Sequence, residues 1–450
     1  MMQDLDRRGY LFSNKDLLYL ILPLIGEQIL AVMVGMADMI MVAQVGESAV
    51  SAISLVDSIN ILLINVFAAV ATGGAVVCGQ FLGKRQQKRA CITADNLFLF
   101  TTAFAVLIMA FVYCFRHLLL WGIFGDIDPY VMQYCERYLM IVNASIPFIA
   151  IYNSGAALFR AMGNSKISML TSLVMNGINV IGNAVLIYGL HMEVEGAAIP
   201  TLVSRIIAAA VIYLLIRNQD LILHVSKPVN LKPEFKLIKK ILYIGVPNGI
   251  ENSMFQLGKI LVLSLVSAFG TASIAANAVS GTVATFQCLP GIAIGLAVLT
   301  VVSRCVGAGD YQQARYYTRK LMGITYGAML VTNILVFAAL PLILHMYNLS
   351  AETAQIAEKI MIYHGTCSIL IWPLSFTFPN TLRAANDVRY SMVASILSMW
   401  IFRIGFSYVL AKYMQMGVFG VWIAMTIDWL ARAVLFVVRY RGKKWEQHVI

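Results

Sequence analysis

The chain has 450 residues, 60% of them hydrophobic and only 12% charged, with a mean hydropathy of +0.79. Such long apolar runs exclude an ordinary soluble domain, because about 18 or more apolar residues in a helix cross the roughly 30 Å hydrocarbon layer with their backbone groups bonded internally. The formal charge of +11 could suit nucleic acid, but the basic residues sit in connections between apolar segments, where they set orientation and meet anionic headgroups.

The polar start "MMQDLDRRGYLFSNKD" runs into a segment too long for the core of a signal peptide, so the first span is expected to stay. Twelve spans are predicted, at about 15–44, 50–82, 92–115, 131–154, 166–190, 195–217, 237–268, 273–306, 319–343, 354–380, 390–413 and 417–440. Span one carries Pro23, Glu27 and Asp38, with Met33, Met36, Met39 and Met41 around the last; span two carries Asp57 near its start. At the exit of span two, "GQFLGKR" (79–85) imitates a phosphate loop but is one residue short between its glycines and has no hydroxyl after Lys84. It reads better as a span ending at a basic surface. The longest polar connection, residues 217–240, divides the spans six and six. Span seven then brings Pro247, Glu251 and Lys259, span eleven Arg403, and span twelve Asp428 with Arg432 one helical turn on.

Of the 33 Lys and Arg, 25 fall on the side of the N-terminus, four (Arg116, Arg137, Lys359, Lys412) on the other side, and four (Arg205, Lys259, Arg403, Arg432) within spans. The positive-inside rule then places both termini in the cytoplasm of a multi-pass protein of the cell membrane. The seven cysteines form no CxxC pair and read as buried free thiols, and the six histidines (117, 191, 224, 345, 364, 448) show no metal-ligand spacing. No enzymatic activity and no cofactor are expected.

The chain repeats itself. A shift of 224 residues aligns Pro23 with Pro247, Glu27 with Glu251, Gly46 with Gly270, Ala52 with Ala276, Gly83 with Gly307 and Ala90 with Ala314. Only nine of the 68 pairs between 23 and 90 are identical, yet they fall at the proline, the buried acid, the exposed turn and the exit. Further on, "LFRAMGNSK" (158–166) faces "TLRAANDVR" (381–389). Because six spans separate the copies, both have the same membrane orientation, a plan known from transporters whose halves rock about a central site. The expected domains are residues 1–216, a linker at 217–240, and 241–450.

A charge at mid-bilayer is costly and must face protein, water or a partner. Asp428 and Arg432 have the spacing of a helical pair. Glu27 and Glu251 follow equivalent prolines and read as hydrogen-bonded supports for a kink, with Pro23 a candidate hinge. Lys259 and Arg403 could answer Glu251 or line a cavity. Asp57 is placed near the outer interface. Asp38 differs from these, because neither adjoining turn offers a basic residue and its repeat counterpart is Val262. Burial without a counter-ion disfavours a bare carboxylate, so such a group takes up a proton or a cation.

Taken together, "PLIGEQILAVMVGMADMIMVAQVG" (23–46), "LGKRQQKRA" (82–90), "LFRAMGNSK" (158–166), "NVIGNAVLIYG" (179–189), "VEGAAIPT" (194–201) and "GVPNGIE" (245–251) resemble the MATE, or multidrug and toxic compound extrusion, transporters. That family belongs to a superfamily that also holds lipid-linked oligosaccharide flippases. The resemblance implies an all-α membrane protein with two pseudo-symmetric six-helix lobes in a V, exporting small organic cations against an inward flow of Na⁺ or H⁺, and acting as a monomer. It implies a coupling site in the first lobe, with its span-one aspartate at Asp38, its span-five asparagine at Asn179 and its span-six threonine at Thr201. Where the family often has a second aspartate, this chain has Asn183, which leaves Asp38 as the one titratable member of the four. Another branch places acids in spans seven and ten; the nearest positions here are Phe255 and Trp372, which favours first-lobe coupling. The alternative is a flippase or exporter for a lipid-linked or anionic precursor, for which Arg205, Lys259 and Arg403 would supply cations.

Overall fold

A computed structural model describes residues 9–125, 127–227, 232–347 and 349–447. Arg7, Arg8, His448 and residues 228–231 of the expected linker lie outside the described residues. Among the described residues there are fourteen α-helices and no strand. They are α1 (Asn14–Ala43), α2 (Glu47–Gly83), α3 (Gln87–Phe124), α4 (Pro129–Asn143), α5 (Ile146–Ala161), α6 (Ser165–Asn183), α7 (Glu195–Ile216), α8 (Phe235–Ser267), α9 (Thr271–Gly307), α10 (Tyr311–Met346), α11 (Ala351–Leu370), α12 (Pro379–Ala384), α13 (Val388–Ser398) and α14 (Gly417–Arg441). The protein is a multi-pass membrane protein: among the described residues nine helices are long and apolar enough to cross a bilayer, and up to eleven spans result if each of two bent pairs counts once. The 33-residue α8 falls outside that set because Asn248, Glu251, Asn252, Gln256 and Lys259 interrupt its apolar run.

The predicted spans four and ten are each broken. α4 and α5 meet at 48°, and α11 and α12 at 58°. The reason is proline, which removes a backbone donor and crowds the preceding turn: Pro147 opens α5, while Pro373 and Pro379 flank the second bend. The turns α1–α2 and α8–α9 each need a residue at positive φ, and the repeat supplies Gly46 (φ 132°) and Gly270 (φ 89°).

The chain divides into two compact units, Leu18–Gly249, and Ile250–Ile450 with the segment up to Leu17. The division therefore falls inside α8 rather than at 217–240. The start of α8 belongs with the first unit because two glycines allow backbone contact: a Cβ on Gly73 would collide with the carbonyl oxygen of Ile241, and one on Gly245 would lie 2.9 Å from Val70 Cα. The linker is tied to α3 as well, with Ser226 N donating to Asp95 Oδ1 at 2.9 Å and Glu234 N to Asn96 Oδ1 at 2.7 Å. The N-terminal segment makes the matching attachment in the second unit, where Phe12 N donates to Tyr317 Oη at 2.9 Å and Tyr317 Oη donates to Phe12 O at 2.6 Å.

Each unit has its own core. Met41, Val56, Leu139 and Val194 centre one cluster of the first, and Trp372, Trp429 and Met329 one of the second. Five of the seven cysteines are buried, whereas Cys114 is exposed and Cys367 intermediate.

Candidate functional site

Asn179 and Asn183 stand four residues apart on α6 and so share one face. α7 packs closely on that helix because Gly182 has no side chain; a Cβ there would lie 2.7 Å from Pro200 Cβ. The neighbour of Pro200, Thr201, is thereby pressed against Asn179. α1 delivers Asp38 to the same place, and Asn183 Nδ2 donates to Asp38 Oδ1 at 2.9 Å. All four residues expected at the coupling site meet in the first unit.

The oxygen and nitrogen of the Asn179 amide can be assigned either way round. In one orientation, its nitrogen donates to Thr201 Oγ1 at 3.0 Å, and its oxygen faces the carboxylate. In the other, its nitrogen donates to Asp38 Oδ1 at 3.0 Å and Oδ2 at 3.1 Å, while its oxygen accepts from Thr201. Without a cation the second is favoured, since the first sets acceptor against acceptor. With a cation between them, the first becomes the favoured one. Asn183 Oδ1 is buried with no hydrogen-bond partner among the described residues, an oxygen free to complete a cation's shell.

No basic side chain is paired with Asp38 among the described residues, and its hydrogen-bonded partner is Asn183. Asp57, ten residues into α2, is half-buried. It accepts from Tyr138 Oη at 3.2 Å and Asn60 Nδ2 at 3.3 Å, and it is close enough to repel Asp38. Arg205 offsets that repulsion, anchored by a 2.7 Å bond from Nη1 to Ser145 Oγ. Of the methionines around Asp38, Met41 is buried in the core and Met33, Met36 and Met39 are exposed. Pro23 lies within the unbroken α1.

The other intramembrane acids resolve into pairs. Glu27 meets Arg160 Nη1 at 3.4 Å and accepts from Ser168 Oγ at 2.8 Å. Glu251 takes both of its bonds, 2.8 Å each, from Arg383 Nη2. Of the two roles open to Lys259 and Arg403, that of answering Glu251 falls to Arg383 instead. Asp428 and Arg432 pair at 2.9 Å across one turn of α14. Lys259 and Arg403 lie instead against the ring of Phe255, at 5.1 and 4.9 Å from its centroid.

The two pairs Glu27–Arg160 and Glu251–Arg383 repeat each other, as does the match to known sequences. The sequence model of the MatE family fits twice, over residues 23–185 and 247–409, with the same offset that carries Pro23 to Pro247. The chain belongs to the MatE family. Among relatives, the uncharacterized transporter YisQ of Bacillus subtilis is 25% identical over 433 residues, covering 94% of this chain and 93% of its own. The probable multidrug resistance protein NorM of Thermotoga maritima is 23% identical, covering 97% and 94%. A solved outward-facing multidrug resistance MATE family transporter superposes with a TM-score of 0.89 over 96% of both chains at 18% identity, a likeness of fold.

For this MatE chain, Arg160 and Arg383 are the residues that sequence reading passed over. Both had been counted among the basic residues of the connections. The signal was present: they occupy the third position of the two facing motifs "LFRAMGNSK" and "TLRAANDVR", so each half repeats one arginine together with one glutamate.

Proposed function

We propose that the protein exports small organic molecules across the cell membrane in exchange for an inward-moving cation held by Asp38, Asn179, Asn183 and Thr201. The observation that carries the reading is the meeting of a carboxylate without a basic partner, two amides and a hydroxyl, one amide oxygen being buried and unpaired. One carboxylate with neutral oxygen donors suits a hard monovalent cation, and Na⁺ is the ion this set fits best. A proton can occupy Asp38 alone.

Export follows from differential binding, because a ligand shifts an equilibrium between outward-open and inward-open states only if it prefers one of them. Cation capture draws α1, α6 and α7 together around Asp38, and rebending near Pro23 couples that movement to the transport pathway. Organic cations are the first substrate class to test, on the strength of relatives named for multidrug resistance. Both termini are cytoplasmic by the charge distribution.

The test is dye transport into inverted membrane vesicles with high Na⁺ or low pH imposed inside, separately. Ethidium uptake driven by Na⁺ alone supports the reading, and uptake driven by pH alone transfers the role to H⁺. Transport with neither gradient would remove coupling from the account.

A further inference from the structure

Spans one and five of the first half correspond to spans seven and eleven of the second, and the same pair of spans carries the opposite charge in the second unit. There, α8 and the π-helical stretch Met399–Gly405 bring Lys259 and Arg403 near enough to repel each other. Both lie against Phe255, and Arg432 joins them with its Cζ 5.6 Å from that ring and 5.4 Å from Phe376.

Two carboxylates share the region: Glu251 is engaged through both oxygens, whereas Asp428 is engaged through Oδ1 and its Oδ2 is buried with no hydrogen-bond partner among the described residues. Glu251 holds Arg383 through two 2.8 Å bonds, and Asp428 holds Arg432 at 2.9 Å while accepting from Ser398 Oγ at 2.6 Å. Neither Lys259 nor Arg403 forms an ion pair among the described residues, although the carboxylate of Asp428 is near enough to attract Arg403. Arg403 is 8% exposed, and its Nε has no hydrogen-bond partner among the described residues. Lys259 is exposed, eight residues before the end of α8, and holds its ammonium over the Phe255 ring.

Phe255 also borders a cavity of about 180 Å³ whose lining includes Glu251, Asn252, Phe376, Arg383, Ser395 and Arg432, with Lys259 and Arg403 outside that lining. Arg383 Nε and Ser395 Oγ are buried there without hydrogen-bond partners among the described residues. Guanidinium groups present several donors in a plane, match oxyanions in two-point contacts and stack on rings. Phe376, which stacks on Trp372 at 5.0 Å, supplies an aromatic wall.

We infer that Lys259, Arg403 and Arg432, gathered over Phe255, form a binding site for the oxyanion group of an aromatic or amphiphilic molecule: a sulfonate, carboxylate or phosphate. The site is separate from Asp38 in place and opposite in sign. It allows the exported molecule to be recognised by a negative end, and it stands whether or not Asp38 couples transport to a cation.

The test uses the full chain in phosphatidylcholine nanodiscs with no ion gradient, so that failure of coupling does not touch it. Binding of 2-naphthalenesulfonate is followed by calorimetry beside its cationic counterpart, 2-naphthylmethylammonium. The expected result is saturable sulfonate binding, weakened by salt and tighter than that of the ammonium. Lys259→Gln should weaken it by about tenfold, the scale of one charge-assisted contact, and Lys259→Arg should retain most of it. Lys259 is exposed, and size-exclusion profiles establish that both variants fold. Loss of sulfonate binding when phosphatidylglycerol is added to the discs assigns the site to a lipid headgroup; persistence assigns it to a soluble anion. Equal binding of sulfonate and ammonium, or Lys259→Gln binding sulfonate as tightly as wild type, overturns the proposal.

Discussion

Removing the guanidinium of Arg383 should destabilise the second unit strongly. Glu251 is 8% exposed and takes both of its bonds from Arg383, each 2.8 Å long. Arg383→Ala therefore leaves a buried carboxylate with neither counter-ion nor donor, a loss of about 3–5 kcal/mol. At roughly 2–4 °C per kcal/mol for a unit of about 200 residues, the melting temperature should fall by about 6–20 °C. Replacing both partners, Arg383→Met with Glu251→Leu, removes both charges and should recover most of that fall, because apolar replacement of a whole buried pair is often neutral. Arg160→Ala should cost less: Arg160 reaches Glu27 at 3.4 Å, and Ser168 keeps a 2.8 Å bond to the same carboxylate. The assay is thermal melting of detergent-solubilised protein followed by fluorescence-detected size exclusion. The reasoning fails if Arg383→Ala melts within about 1 °C of wild type, or if the double variant is no more stable than Arg383→Ala.

Gly73→Ala should lower yield and melting temperature by the equivalent of about 1–3 kcal/mol, since its Cβ would meet the Ile241 carbonyl, whereas Gly177→Ala, with nothing within 4 Å, should be neutral or slightly stabilising in the same melts. Asn183→Asp places a second carboxylate beside Asp38, and two acids at one site share a proton. Export by that variant should respond more to a pH gradient and less to Na⁺, read as dye transport under each gradient alone. Thr201→Val removes the hydroxyl that meets Asn179 at 3.0 Å. It should raise the Na⁺ concentration for half-maximal transport several-fold, about the value of one neutral hydrogen bond or oxygen ligand, with the maximal rate little changed.

The spans were legible in the sequence because a bilayer demands long apolar helices and a biased distribution of lysine and arginine. Asp38 was legible for a related reason: an acid with no basic residue in adjoining turns and no counterpart in the repeat is not required by the scaffold. The partners of Glu27 and Glu251 were not legible from local spacing, since Arg160 lies 133 residues from Glu27 and Arg383 lies 132 from Glu251. Periodicity along a helix is blind to such pairs, and only comparison of the two repeats could have exposed them. The breaks at 144–145 and 371–378 escaped because apolar sequence continues through them, although Pro147, Pro373 and Pro379 were visible. The partners of Asp57 were hidden in a similar way. Asn60 is three residues on along α2, but Tyr138 lies 81 residues away and only the fold brings its hydroxyl to the carboxylate.

The most direct measurement follows two fluxes at once in proteoliposomes, radioactive Na⁺ moving down its gradient and ethidium moving the other way, for wild type and Asp38→Asn. The wild type should show linked fluxes in fixed proportion, and the variant neither, while remaining monodisperse and folded. Linked fluxes of undiminished rate in Asp38→Asn would contradict the assignment of the driving cation to this carboxylate.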